Sequence, residues 1–212
     1  MSWTIIYHHY QKESTHLDKI IHSNPKSQII DIHTEHNYDK DIAWSNNDRI
    51  LRENLKKQID NIIHEKVLLV EWDVLINMEV PDIKFDGLVA QNIFRKGDNI
   101  KWYWWKELEK LPEYYKPFIC GASLWSLIGI TKECLVEILN SKYDDLYNMD
   151  IFCEIRTSTI LRSLGFNMTK FPTELSRFIL RNESSALESM ENIKYYGIFH
   201  PVKNSVPPKS LF

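Results

Sequence analysis

The residues best suited to chemistry are two acids at the end of an apolar run, in Lys66-Val67-Leu68-Leu69-Val70-Glu71-Trp72-Asp73. Four apolar residues without alternation predict a buried parallel strand covered on both faces. Alternation along an extended segment would then send Glu71 and Asp73 to one side and Trp72 to the other. Two carboxylates that converge in this way repel each other unless a donor or a cation lies between them. A hard divalent ion such as Mg²⁺ or Mn²⁺, with oxygen ligands completed by substrate phosphates, would relieve the repulsion. The alternative is that both acids cap neighbouring loops or pair with surface cations. A second acidic pair, Asp150 and Glu154, has the spacing that places both carboxylates on one helical face with Ser158. Asp150 is equally explained as an N-terminal cap, and Glu154 as a partner of Arg156.

These groups need a scaffold, and the order of elements predicts an α/β one. Thr4-Ile5-Ile6-Tyr7 reads as a strand. Thr15 and Asp18 have capping-box spacing before a helix carrying Leu17, Ile20 and Ile21, which Asn24-Pro25 ends. A strand from Gln28 to Ile32 follows, so strand, helix, strand gives a parallel crossover. Ser45 with Asp48 opens another helix, carrying Ile50, Leu51, Leu55 and Ile59. Beyond Asp73 the pattern predicts a strand from Phe85 to Phe94, a helix capped by Thr131, and a longer helix from Asp150 to about Leu164 stopped by Gly165. A short strand near Met168, a short helix around Ser185 to Glu191 and a Pro-containing tail complete the chain. The fold class expected is a single α/β domain with a mostly parallel central sheet flanked by helices.

Composition narrows the function classes. With 212 residues, 43% hydrophobic and 26% charged, the chain is an ordinary globular protein rather than a disordered, collagenous or coiled-coil one. A net charge of -3 disfavours non-specific nucleic-acid binding. No apolar run approaches the ~18 residues of a membrane span, and no signal sequence opens the chain. Cys120, Cys134 and Cys153 are odd in number and too far apart for a metal knuckle, which together predicts a reduced, cytoplasmic protein. P-loop, G-x-G-x-x-G, G-x-S-x-G and H-E-x-x-H motifs are all missing.

The strand ending in Glu71-Trp72-Asp73 resembles the D-x-D motif of GT-A fold glycosyltransferases, the nucleotide-diphospho-sugar transferases. Further pieces fall in that superfamily's order: the first strand, Gly121-Ala122-Ser123-Leu124 before the Thr131 helix, Asp150-Ile151-Phe152-Cys153-Glu154, and Gly197-Ile198-Phe199-His200-Pro201. Glu71 departs from the pattern, because Asp is usual there.

The resemblance implies a Rossmann-like domain over residues 1–212, with a donor-nucleotide half to about residue 95 and an acceptor half and tail from about 96 to 212. It further implies that Asp73 coordinates a divalent metal, Mn²⁺ or Mg²⁺, on the donor diphosphate, and that His200 completes the metal shell. A histidine on a tail is the alternative for His200. Glu71 would reach the donor ribose or a metal-bound water. Glu154, with Asp150 as second choice, would be the base that deprotonates the acceptor hydroxyl. Asp48 would accept from donor hydroxyls, unless the cap with Ser45 accounts for it, and Tyr10 would lie near the donor nucleotide after the first strand. One or two aromatics of Trp102-Tyr103-Trp104-Trp105 would stack on an acceptor sugar, the others being core or a lid hinge.

The function expected is metal-dependent transfer of a sugar from a nucleotide-diphospho-sugar to a saccharide or other hydroxyl acceptor. One alternative is a carbohydrate-binding or scaffold protein without turnover. Another is a nucleotidyltransferase, against which stands the lack of any glycine from His8 to Glu13.

Overall fold

A computed structural model describes residues 2–9, 16–34, 47–98, 103–123, 127–181 and 197–200. In chain order the elements begin with β1 (Thr4–His9), α1 (Leu17–Ser23), β2 (Gln28–His33), α2 (Asn47–Leu55) and β3 (Lys66–Glu71). Short strands β4 (Leu75–Asn77), β5 (Leu88–Ala90) and β6 (Asn92–Arg95) follow, then 3-10 segments at Tyr103–Lys110 and Glu113–Phe118. The second half holds β7 (Cys120–Ser123), β8 (Leu127–Thr131), α3 (Lys132–Ile138), α4 (Asp144–Asn148), α5 (Cys153–Ser163), β9 (Met168–Lys170), α6 (Thr173–Ser176), β10 (Ile179–Arg181) and β11 (Gly197–His200).

The main sheet has the order β2-β1-β3-β8-β5-β9. β1 pairs parallel with both β2 and β3, β5 pairs parallel with β9, and only β8 runs against its neighbours. This is the mostly parallel sheet expected. Chain order reverses at β1, so the crevice between the carboxyl ends of β1 and β3 is the switch point where ligands bind in open sheets. Glu71 stands there, opposite His8.

Strand alternation builds two cores. Ile6, Val67 and Leu69 face Leu51, Leu55, Leu135, Cys153 and Leu161, which brings α2, α3 and α5 onto one side. Ile5, Tyr7, Leu68 and Val70 face Ile20, Ile76, Leu175 and Ile198, placing α1, α6 and the small β10-β11-β4 sheet on the other. A third cluster, with Tyr115, Tyr147, Ile151 and Ile155, fills the outer side of α5.

Several boundaries differ from expectation. The Phe85 to Phe94 stretch is two strands in different sheets, since β5 joins β8 and β9 while β6 turns away to pair with β7. The helix with Glu154 starts at Cys153, so Asp150 lies outside it and shares no helical face with Glu154. That helix does end at Gly165, whose φ is +86° and whose N–H donates to Arg162 while Phe166 N–H donates to Leu161. Thr131 caps α3 as expected, accepting from the Cys134 N–H. His16 is the N-cap of α1 and makes no side-chain capping bond, and Ile21 is exposed rather than facing the core with Ile20. The second helix ends at Leu55, leaving Ile59 in a 3-10 turn. Thr15, Ser45 and the expected helix at Ser185 to Glu191 lie outside the described residues.

Gly87 sets where β5 enters the sheet. Its φ is +91°, and a Cβ there would lie 2.1 Å from the Asn167 carbonyl oxygen, which accepts from Leu88 N–H at the start of β9's pairing. Gly87→Ala is expected to lower stability by at least about 2 kcal/mol, through left-handed strain plus collision, as read from urea unfolding.

Candidate functional site

The acids at the end of β3 do not stay in an extended segment. β3 ends at Glu71, and Val74 N–H donates to the Glu71 carbonyl at 3.1 Å, closing a tight turn through Trp72 and Asp73 into β4. The Tyr7 hydroxyl donates to the Trp72 carbonyl at 3.0 Å and fixes that turn against β1. A turn, rather than strand alternation, therefore brings the two carboxylates together.

The late histidine reaches the same place through the small sheet. β11 runs antiparallel to β4 with Phe199 opposite Leu75, which carries the next residue, His200, past the Asp73 end of β4. His200 Nε2 lies 3.5 Å from Asp73 Oδ1, and both side chains are largely buried. Asp73 Oδ1 has no hydrogen-bond partner among the described residues, so one oxygen with full acceptor capacity faces the imidazole. The paired strand thus gives His200 a fixed place beside Asp73.

Glu71 feels this crowding. Burial raises its carboxyl well above the ordinary range, and the charges of Asp73 and Glu154 raise it further. Glu154, in the first turn of α5, thereby joins the two acids of the β3 turn in one field. The start of α5 is held by neighbours: Glu107 accepts from the Phe152 N–H at 2.9 Å, and Lys110 donates to the Asp150 carbonyl at 2.8 Å. Both come from the Tyr103–Lys110 segment, whose Trp105 and Leu108 pack on the third core cluster. Trp105 is accordingly a packing residue.

The remaining expected site residues lie elsewhere. Asp150 is exposed, and its carboxylate bonds Lys110 at 2.9 Å. Asp48 is buried and filled by donors of its own chain. One oxygen accepts from Arg49 N–H at 2.8 Å and from Arg156, the other from Arg156 Nε at 3.1 Å and the Thr157 hydroxyl at 2.8 Å. In this arrangement Asp48 is the counter-ion of Arg156 rather than an acceptor turned toward a ligand. Tyr10 lies outside the described residues. Glu107 caps from 45 residues away, so no local sequence pattern marks it. Arg156 has Glu154 as its expected partner, yet the polar run Arg156-Thr157-Ser158-Thr159, buried on all sides of the helix, marks a place where polar groups must be satisfied internally.

Among the described residues no three His, Cys, Asp or Glu side chains converge as a complete metal cage. An imidazole and a carboxylate oxygen with spare capacity do suit a divalent ion whose other ligands are substrate phosphates and water. Among the described residues no helix is long and apolar enough to cross a membrane.

A rise in the folded-state pKa of Glu71 makes its ionisation work against folding. The penalty is absent below the ordinary carboxylate range and grows as pH rises through the raised value. Glu71→Gln should therefore raise Tm by about 2 °C or more at pH 8 in chelator, with the gain vanishing toward pH 4 in parallel thermal melts.

Comparison with known proteins adds the fold. No protein-family model and no curated protein matches the chain. Among solved structures it is similar to a glycosyltransferase involved in the glycosylation of the major capsid of PBCV-1, at 12% identity and a TM-score of 0.50, covering 96% of this chain and 95% of that one. It is also similar to the galactosyltransferase LgtC solved with donor and acceptor sugar analogs, at 9% identity and a TM-score of 0.47, covering 94% and 87%. The chain has the GT-A-like fold that its motifs resemble.

Proposed function

We propose that the protein is a metal-dependent glycosyltransferase that moves a sugar from a nucleotide-diphospho-sugar to a hydroxyl acceptor. The observation that carries this reading is the meeting of Asp73 and His200 at 3.5 Å beside Glu71, at the switch point of a fold shared with a glycosyltransferase. The donor would occupy the half formed by residues to about 95, and the acceptor the half beyond, toward α5.

Asp73 and His200 would hold a divalent ion, Mn²⁺ or Mg²⁺, which when bound neutralises charge on the departing diphosphate. Glu71 would reach the donor ribose or a metal-bound water. Glu154 would take the proton of the attacking hydroxyl on a carboxylate oxygen. Tyr10 would contact the donor nucleotide. The Tyr103–Lys110 segment, fixed to the start of α5 by Glu107 and Lys110, would close the acceptor side and keep water from competing with the hydroxyl.

A thermal-shift series of nucleoside diphosphates with and without Mn²⁺ tests the donor site. One nucleotide should raise Tm only with the metal, and Asp73→Asn should abolish that dependence. A variant that responds like the parent would place the metal elsewhere. Glu154→Gln should bind donor normally while transfer falls at least about 100-fold; undiminished transfer would exclude Glu154 as base. Slow donor hydrolysis in the absence of acceptor separates an enzyme from a binding protein on the same fold.

A further inference from the structure

The base assigned to Glu154 works only if the first turn of α5 is held still, and that turn has a second anchor behind it. Arg156 is two residues from Glu154, which at 100° per residue puts it on the opposite side of the helix. Its side chain is 0% exposed and that of the facing Asp48 2%, so the pair is buried away from bulk solvent. Arg156 grips Asp48 with Nε and Nη2 on different oxygens and gives Nη1 to the Met149 carbonyl at 2.8 Å. The same guanidinium therefore ties the segment before α5, the helix itself and the N-terminal turn of α2. Thr157 adds a hydroxyl bond to Asp48, and its own oxygen meets the Tyr147 hydroxyl at 3.0 Å.

Stability alone is a poor explanation for such a pair. The desolvation of two buried charges offsets much of their attraction, and apolar replacements of equal volume often fold as well. What a two-pronged guanidinium–carboxylate contact supplies is direction, because its planar geometry is satisfied in one orientation. The pair is joined to the site through the helix itself, because Arg156 and Glu154 lie two residues apart in α5.

We propose that Asp48 and Arg156 form a positioning pair that sets the placement of Glu154 from the far side of α5. This rests on the reading of Glu154 as base. Asp48 would then touch neither donor nor acceptor, and its loss would act on turnover rather than on binding.

The test compares Asp48→Asn, which keeps the shape and removes the charge, with Arg156→Lys, which keeps the charge and removes the two-pronged contact. Gly87→Ala serves as a destabilised control far from the pair, and Glu154→Gln as the reference for the base. All are assayed at a temperature where melts show them folded. Expected are a kcat at least tenfold below the parent for both pair variants, donor KM within twofold, and parental kcat for Gly87→Ala. If Asp48→Asn does not fold, Arg156→Lys carries the comparison alone. Parental kcat in the pair variants, or a loss no greater than that of the Gly87 control, overturns the proposal, as does a rise in donor KM that accounts for the whole effect. Glu154→Gln distinguishes the two levels: if it is inactive while Asp48→Asn turns over normally, only the positioning pair fails, and if it is active, the reading of the base fails with it.

Discussion

Three carboxylates share one end of the sheet, and their mutual repulsion is the constraint around which the rest of the molecule is arranged. Glu71 and Asp73 are brought together by a tight turn, and Glu154 approaches from α5. Burying acids in company is unfavourable unless protons, donors or cations compensate them. Here burial and the charges of Asp73 and Glu154 raise the Glu71 carboxyl, and the His200 imidazole stands 3.5 Å from Asp73. In the proposed activity a divalent ion carrying a diphosphate would provide further compensation.

The fold spends its irregular elements on this end. The buried strands β1 and β3 pair in parallel beneath it, while the short β4 and β11 pair so that Asp73 and His200 lie 3.5 Å apart. Likewise α5 is fixed at its start by Glu107, Lys110 and the Asp48–Arg156 pair, and at its end by a glycine stop. Under the proposed role of Glu154 as base, such supports would keep its carboxylate within the small range of positions at which it could take a proton from a bound hydroxyl.

The sheet was legible because its signals are local. Val67 to Val70 is apolar without alternation, and Asn24-Pro25, Thr131 and Gly165 mark helix boundaries through short-range chemistry. Glu71, Asp73, Glu154 and His200, the residues of the proposed site, were candidates by residue type and by the motif order the chain resembles, and the structure brings Asp73 and His200 to 3.5 Å. What could not be read was tertiary. Asp48 looked like a cap because its helix begins there, yet its carboxylate answers to Arg156, 108 residues on. Asp150 looked like a helical partner of Glu154, but Met149 to Phe152 are held off the helix by Lys110, Glu107 and Arg156, none of which declares that contact in the sequence. The split of Phe85 to Phe94 between two sheets follows from Gly87 and the pairing of β6 with β7, again a long-range choice.

The account stands or falls on whether a cation sits between the turn after β3 and the end of β11. Pulsed electron paramagnetic resonance of Mn²⁺ bound together with a nucleoside diphosphate reads the ligands directly. Modulation from one imidazole nitrogen should be present in the parent and disappear in His200→Gln, with phosphorus coupling from the diphosphate retained. Bound Mn²⁺ showing the phosphorus coupling but no nitrogen in the parent, or the same nitrogen signal in His200→Gln, would contradict it.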